Sequence, residues 1–175
     1  METGRGTIIR LTKLTESSLI VHWMSEEGGL LKTVAKGARR AKSPFAGRLD
    51  LFVEADFQWV RSRRSELHTL GEVSVLDYRE CLRKNYRSAA VAGYFGQLLE
   101  LVLEPDHPEP GMSDLLKRGL GYLSNKGADR RSMLFYEREV ARLLGLGRKG
   151  SMGILEVYGK MPNSRDHCLD LLPEK

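Results

Sequence analysis

The amino-acid sequence predicts an α+β chain of two domains, a five-stranded β-barrel followed by an all-α helical domain. Three observations predict it. Apolar residues recur with period two from about residue 7 to residue 70, the pattern of half-buried strands. These segments are short and divided by turn residues, as in small all-β domains. Beyond about residue 76 the period lengthens to that of a helix, with Val91, Tyr94, Phe95, Leu98, Leu99 and Val102 at i, i+3, i+4, i+7 spacing. The boundary falls between residues 76 and 77, and 175 residues suffice for two separate cores.

The first strand is expected over residues 6–14 and the second over 19–24, joined by Thr15, Glu16, Ser17 and Ser18. A third, over 30–38, follows the turn Glu26, Glu27, Gly28, Gly29 and completes a meander. The fourth runs from about 50 to 60, and the fifth, 66–73, follows the turn Ser62, Arg63, Arg64, Ser65. Five short strands suit a partly open barrel of the OB type. Along the fourth strand Val53, Ala55, Phe57 and Trp59 face one way, whereas Glu54, Asp56 and Gln58 face the other and are assigned to solvent. The prolines at 105, 108 and 110 end the first helix. A second starts at Ser113 as N-cap, buries Leu115, Leu116, Leu120 and Leu123, and closes at 125–127. A third covers about 129–144, with Met133, Leu134, Val140, Leu143 and Leu144 as its apolar stripe and Arg131, Arg138 and Arg142 opposite. Two short helices are expected around 154–159 and 166–172.

Composition narrows the function classes. Hydrophobic residues at 41% and charged residues at 29% exclude a disordered or fibrous chain. No apolar run approaches the roughly 18–20 residues of a membrane span, and the first residues lack a signal-peptide stretch, so a cytoplasmic protein without a membrane partner is expected. Cys81 and Cys168 are far apart without a CxxC partner, and together with His22, His68, His107 and His167 they show no zinc-site spacing. Gly145, Gly147 and Gly150 spell GxGxxG, but a helix precedes them where a dinucleotide site needs a strand; they read as a helix terminator. No serine or cysteine is marked as activated by a neighbouring base. The expectation is a protein that is not an enzyme, with no catalytic residue, no metal and no cofactor.

The positive signal is charge. The chain carries a net +5, and between Glu27 and Asp50 there is no acidic residue, whereas Lys32, Lys36, Arg39, Arg40, Lys42 and Arg48 all fall there. On a barrel this run covers a strand end and the following loop, where long cationic side chains can follow a phosphate backbone without reading bases. Arg61, Arg63 and Arg64 in a turn, and Arg131, Arg138 and Arg142 on a helix, are additional candidates for DNA contact. Trp23, Phe57 and Trp59 share the apolar register of their strands and read as core. Phe45, inside the basic loop, is either a platform for base stacking or a plug for the barrel end, and the sequence leaves both open.

In order, Gly6 to Leu11 (GTIIRL), Thr15 to Val21 (TESSLIV), Ser25 to Leu30 (SEEGGL) and above all Val34 to Arg40 (VAKGARR) resemble the N-terminal domain of the RecO recombination mediators. The stretches AGYFGQLLELVLE and FYEREVARLLGLG are similar to that family's helical core. The resemblance implies a DNA repair protein of the RecF pathway. Such a protein binds and anneals single-stranded DNA, works with RecR, and helps replace single-strand-binding protein with RecA. It places Lys36, Arg39 and Arg40 in the family's basic motif. Many members carry a cysteine-rich zinc module after the third helix and a longer helical tail; neither pattern occurs in this sequence, so zinc is not implied. The rival reading is a protein-interaction scaffold whose basic loop holds an acidic peptide.

Overall fold

The computed structural model describes residues 1–174. Among them the strands are β1 (Glu2–Lys13), β2 (Leu19–Ser25), β3 (Gly29–Ala35), β4 (Glu54–Val60) and β5 (Leu67–Asp77). The helices are α1 (Glu80–Lys84), α2 (Tyr86–Val102), α3 (Pro110–Lys126), α4 (Arg130–Leu143), α5 (Ser151–Tyr158) and α6 (Ser164–Leu171). The strands close into a barrel in the order β1-β2-β3-β5-β4, the OB arrangement, so the α+β expectation stands and the barrel is closed rather than partly open. Closure rests on β1, whose first half pairs with β4 (Glu2↔Trp59 to Thr7↔Glu54) and whose second half pairs with β2 (Gly6↔Ser25 to Lys13↔Leu19). A register shift between Ile8 and Arg10 lets one strand serve two neighbours.

The chain divides into two compact units, Met1–Arg79 with Glu104–Ser113, and Glu80–Leu103 with the chain from Asp114 onward. β5 therefore runs past the expected boundary between 76 and 77, and the barrel unit also takes in a segment between two helices. That segment adds a backbone bond from the Asp106 amide to the Leu30 carbonyl at 2.9 Å. The Asp106 carboxylate accepts from the buried His68 Nε2 at 2.7 Å, while the Ser62 amide donates to His68 Nδ1. Gly29, at φ +67°, permits this approach, because a Cβ there would collide with the His107 carbonyl.

Inside the barrel Trp23 stacks on Phe57 at 4.0 Å between centroids, and Phe57 meets Trp59 at 5.0 Å. The Trp23 indole N–H donates to Thr33 Oγ1 at 2.9 Å, which gives its polar end a buried partner. Ile8, Val21, Leu31, Val53, Ala55 and Val73 complete the core.

Glu54 corrects the expectation that it faces solvent. It is buried, and its carboxylate accepts from Arg79 Nη2 at 2.9 Å. Arg79 also donates to the Phe52 carbonyl at 2.7 Å and to Thr7 Oγ1 at 3.2 Å, so one guanidinium ties the start of β4 to β1 and to the end of β5. Burial pulls this guanidinium below its usual pKa, opposed by the attraction of Glu54 and Asp77.

In the helical unit Phe95 of α2 stacks on Tyr136 of α4 at 3.7 Å, over Gly119 of α3. The buried Glu137 accepts from Tyr94 Oη at 2.6 Å and from Arg165 at 2.7 and 3.0 Å, joining α2, α4 and α6. Several helical expectations change. Pro110 opens α3 instead of ending the helix before it, since its missing N–H is harmless in a first turn, and Ser113 lies inside that turn. Tyr136 and Glu137 replace Leu134 and Leu143 on the buried stripe of α4; the two leucines are exposed. No helix among the described residues is long and apolar enough to cross a membrane.

Removing one partner of a buried ion pair strands the other charge. Arg79→Met should therefore destabilise the protein by about 3–5 kcal/mol in urea unfolding, and adding Glu54→Gln should recover part of that loss. Equal midpoints for Arg79→Met and wild type would show that the pair does not hold the barrel.

Candidate nucleic-acid interface

β1, β3 and β5 run one way and β2 and β4 the other, so the β1–β2 turn and the β3–β4 loop share one end of the barrel. The basic run falls in that loop, residues 36–53, which is built from successive tight turns: the Ala38 amide donates to Ala35, Arg40 to Gly37, Ser43 to Arg40, Ala46 to Ser43 and Arg48 to Phe45. It is sewn to the β1–β2 turn by the Arg39 amide, which donates to the Ser17 carbonyl at 2.9 Å, and by the Gly37 amide on Ser18 Oγ. Backbone turns thus fix the loop, and its cationic side chains are left for solvent.

Lys36, Arg39, Arg40, Lys42 and Arg48 are all exposed. Arg39 Nη1 donates to the Glu16 carbonyl at 3.2 Å and Arg48 Nη1 to the Val73 carbonyl at 3.0 Å, bonds that aim the guanidinium groups without neutralising them. Lys32 stands apart from this cluster on the barrel wall. It pairs with Glu66 at 3.4 Å and lines a hollow of about 410 Å³ with Arg10 and His22. Sequence reading missed Arg10 and His22 as its neighbours, because they meet Lys32 through cross-strand register (Arg10↔His22, His22↔Lys32), which the pattern along one strand does not give.

The structure places Phe45 where the plug reading puts it. It is 8% exposed and packs in the barrel core with Val53, Leu70 and Val73, so its ring offers no face to a base. Of the two options that the sequence leaves open, burial favours the plug, since a ring at the end of a barrel gains more from closing the core than from standing in water.

The β4–β5 turn lies at the other end of the barrel, roughly 20 Å away along a seven-residue strand. Arg61 there is held by Glu2 at 2.8 and 3.0 Å and by Asp106 at 3.4 Å. Arg63 and Arg64 are exposed at that same end. The structure therefore does not bring Arg61, Arg63 and Arg64 together with the basic loop. In the helical unit Arg142 is clamped by Glu139, Arg138 lies 5.9 Å over the Phe135 ring, and Arg131 is exposed.

A cavity of about 1140 Å³ lies beside the loop, but Glu26, Glu27, Asp56 and Glu72 line it with Arg5 and Arg48 opposing them. Arg5 is already bound to Asp56 at 2.8 Å. The groove is predominantly acidic, so the exposed cations of the loop, and not this concavity, form the positively charged surface at this end of the barrel. Cys81 is exposed, whereas Cys168 is buried, donates to the Ala90 carbonyl and has its thiol pushed up to about 11 by burial. Among the described residues no group of three or more His, Cys, Asp or Glu could hold a metal ion, so the residues present do not fit a zinc site.

Residues 1–79, the barrel with its closing arginine, match the family model described as recombination protein O N terminal. The chain is similar to RecO proteins, with the family match falling on its barrel unit. It is similar to the DNA repair protein RecO of Pasteurella multocida, 32% identical over 145 residues that cover 82% of this chain and 58% of that protein. It is 29% identical over 145 residues to the RecO of Rhodopirellula baltica, covering 79% of this chain and 51% of that one. With the RecO of Syntrophotalea carbinolica it shares 29% over 130 residues, 74% of this chain and 50% of the relative. The chain thus spans a little over half the length of the curated RecO proteins it matches.

If Phe45 is core, Phe45→Ala should cost about 3–5 kcal/mol of stability, and Phe45→Leu much less. Phe45→Leu, checked as folded by circular dichroism, should keep its affinity for single strands in a fluorescence anisotropy titration. A loss of affinity in that folded variant would restore the stacking role.

Proposed function

We propose that this protein is a mediator of recombinational DNA repair that binds and anneals single-stranded DNA through the loop at residues 36–48. Working with RecR, it assists the loading of RecA onto strands covered by single-strand-binding protein. It acts in the cytoplasm and without catalysis. The observation that carries the reading is the set of five exposed cations, Lys36, Arg39, Arg40, Lys42 and Arg48, which form no ion pair among the described residues and stand on a hydrogen-bonded scaffold. Cations left free and fixed in place are what a phosphate backbone requires, since each phosphate they neutralise releases a condensed counterion. Relatives named as DNA repair proteins support the biological setting.

Reversing Lys36, Arg39 and Arg40 to glutamate should leave the thermal midpoint within about 1 °C, because long exposed side chains contribute little to the fold. Affinity for oligothymidylate should fall, and the log–log salt slope should flatten by about 0.7 for each phosphate that is no longer neutralised. Strand annealing should fall in parallel, with no dependence on base sequence. A folded triple variant with unchanged affinity and slope would move the site off the loop and favour the scaffold reading, in which an acidic peptide is the ligand.

A further inference from the structure

The glycine-rich turn after α4 is not absorbed by the barrel loop's role. α4 ends at Leu143, and Gly145, Gly147 and Gly150 then take φ values of +76°, +69° and +55° before α5 begins at Ser151. The left-handed residues fold the chain back sharply enough to set Arg148 and Lys149 beside the arginines of α4. Between them lies a cavity of about 660 Å³, lined by Arg130, Arg131, Arg138, Arg148 and Lys149 together with the first turn of α5.

Two acidic residues also line it. Glu137 is already neutralised, since Arg165 grips both its oxygens and Tyr94 donates a third bond. Glu174 is the other, so five cations face one carboxylate that is not otherwise committed. Lys149 pairs with Glu156 at 2.8 Å, but both side chains are more than half exposed, and such a pair is weak and screened by salt. Arg131 and Arg148 are exposed and form no ion pair among the described residues. Arg130 donates from Nη2 to the Leu169 carbonyl at 2.9 Å, yet its Nε is buried with no acceptor. α5 opens at Gly150 with no side-chain cap, so its first amides add a positive helix end to the same wall.

The geometry points to a second phosphate site, on the helical unit, in which Arg131, Arg138, Arg148 and the start of α5 hold consecutive phosphates of a single strand. The site rests on the proposed reading of the barrel loop only in its choice of ligand; its cations and cavity are independent of it. Fixed guanidinium forks suit phosphate oxygens, and the absence of aromatic rings from the lining leaves the bases unread. Arg142, by contrast, is spent on Glu139 and takes no part.

The test uses the full chain and the double variant Arg131→Glu with Arg148→Glu, both at exposed positions, with folding verified by thermal unfolding. Oligothymidylate affinity should fall, and the salt slope should flatten by about 1.4, two phosphates at about 0.7 each. Combined with the loop triple variant, the two reductions should add in log K. A folded double variant with unchanged affinity and slope, while the loop variant is reduced in both, overturns the inference and leaves the loop reading intact. A reduction in the double variant with none in the loop variant sustains the inference and removes the loop. Pyrophosphate serves as the free-ion probe. If it binds wild type but not the double variant, while the oligonucleotide binds both equally, the cavity takes small phosphates and the strand assignment falls.

Discussion

One strand must hydrogen-bond to two neighbours at once, and the rest of the barrel follows from how β1 does so. Its twelve residues are too many for a single seven-residue partner, so the surplus reaches β4 on one side and β2 on the other. The change of partner occurs around the bulge between Ile8 and Arg10, where the Ile8 amide and carbonyl bond to Val53 and Phe52 at the end of the long loop. The loop is therefore anchored at one end to the strand that closes the barrel, and near its start to the β1–β2 turn through Arg39 and Ser17. A loop fixed twice cannot wander, which is why its cations form a defined surface.

Charge is used in two separate ways. Glu54 with Arg79, and Glu137 with Arg165, are buried and bound by several hydrogen bonds each, so their role is to hold elements together. Lys36, Arg39, Arg40, Lys42 and Arg48 are exposed and without carboxylate partners among the described residues. Pairing them would remove the field that attracts an anion, while leaving them free costs little in water. The acidic groove next to the loop sharpens this contrast, because Glu26, Glu27 and Glu72 would repel a phosphate backbone that the loop cations attract.

What the sequence makes legible is whatever depends on neighbours in the chain. The alternation of Val53, Ala55, Phe57 and Trp59 identifies a core face because each residue reports on the next but one. The basic run is visible for the same reason. Glu54 is misplaced by pattern alone because its partner lies 25 residues away, beyond the point where the period changes, and a carboxylate on a polar strand face looks solvated until that partner is known. α1, with five residues, is too short for a helical period to show. Pro110 reads as a stop because proline is equally at home after a helix and at the start of the next. The cavity on the helical unit is half legible: Arg131 and Arg138 stand out, but Arg148 and Lys149 join them only through the backbone reversal at three glycines.

The placement of aromatic rings says what kind of binding the proposed site supports. In the barrel unit Trp23, Phe45, Phe52, Phe57 and Trp59 are all buried, so the loop itself exposes no aromatic ring, and the exposed Tyr78 lies in the acidic groove that Arg48 also lines. On the proposed function, a single strand held at the loop would be gripped by its phosphates and not by stacked bases, unlike strands on OB surfaces that present aromatic platforms. Such binding is indifferent to sequence and steep in salt. It would also leave the bases unstacked by protein rings, while the cations would weaken the repulsion that a second strand meets on approach. For a protein proposed to bring complementary strands together, burial of the aromatic residues is then a requirement of the task as much as of the core, since a stacked base would have to be released before it could pair.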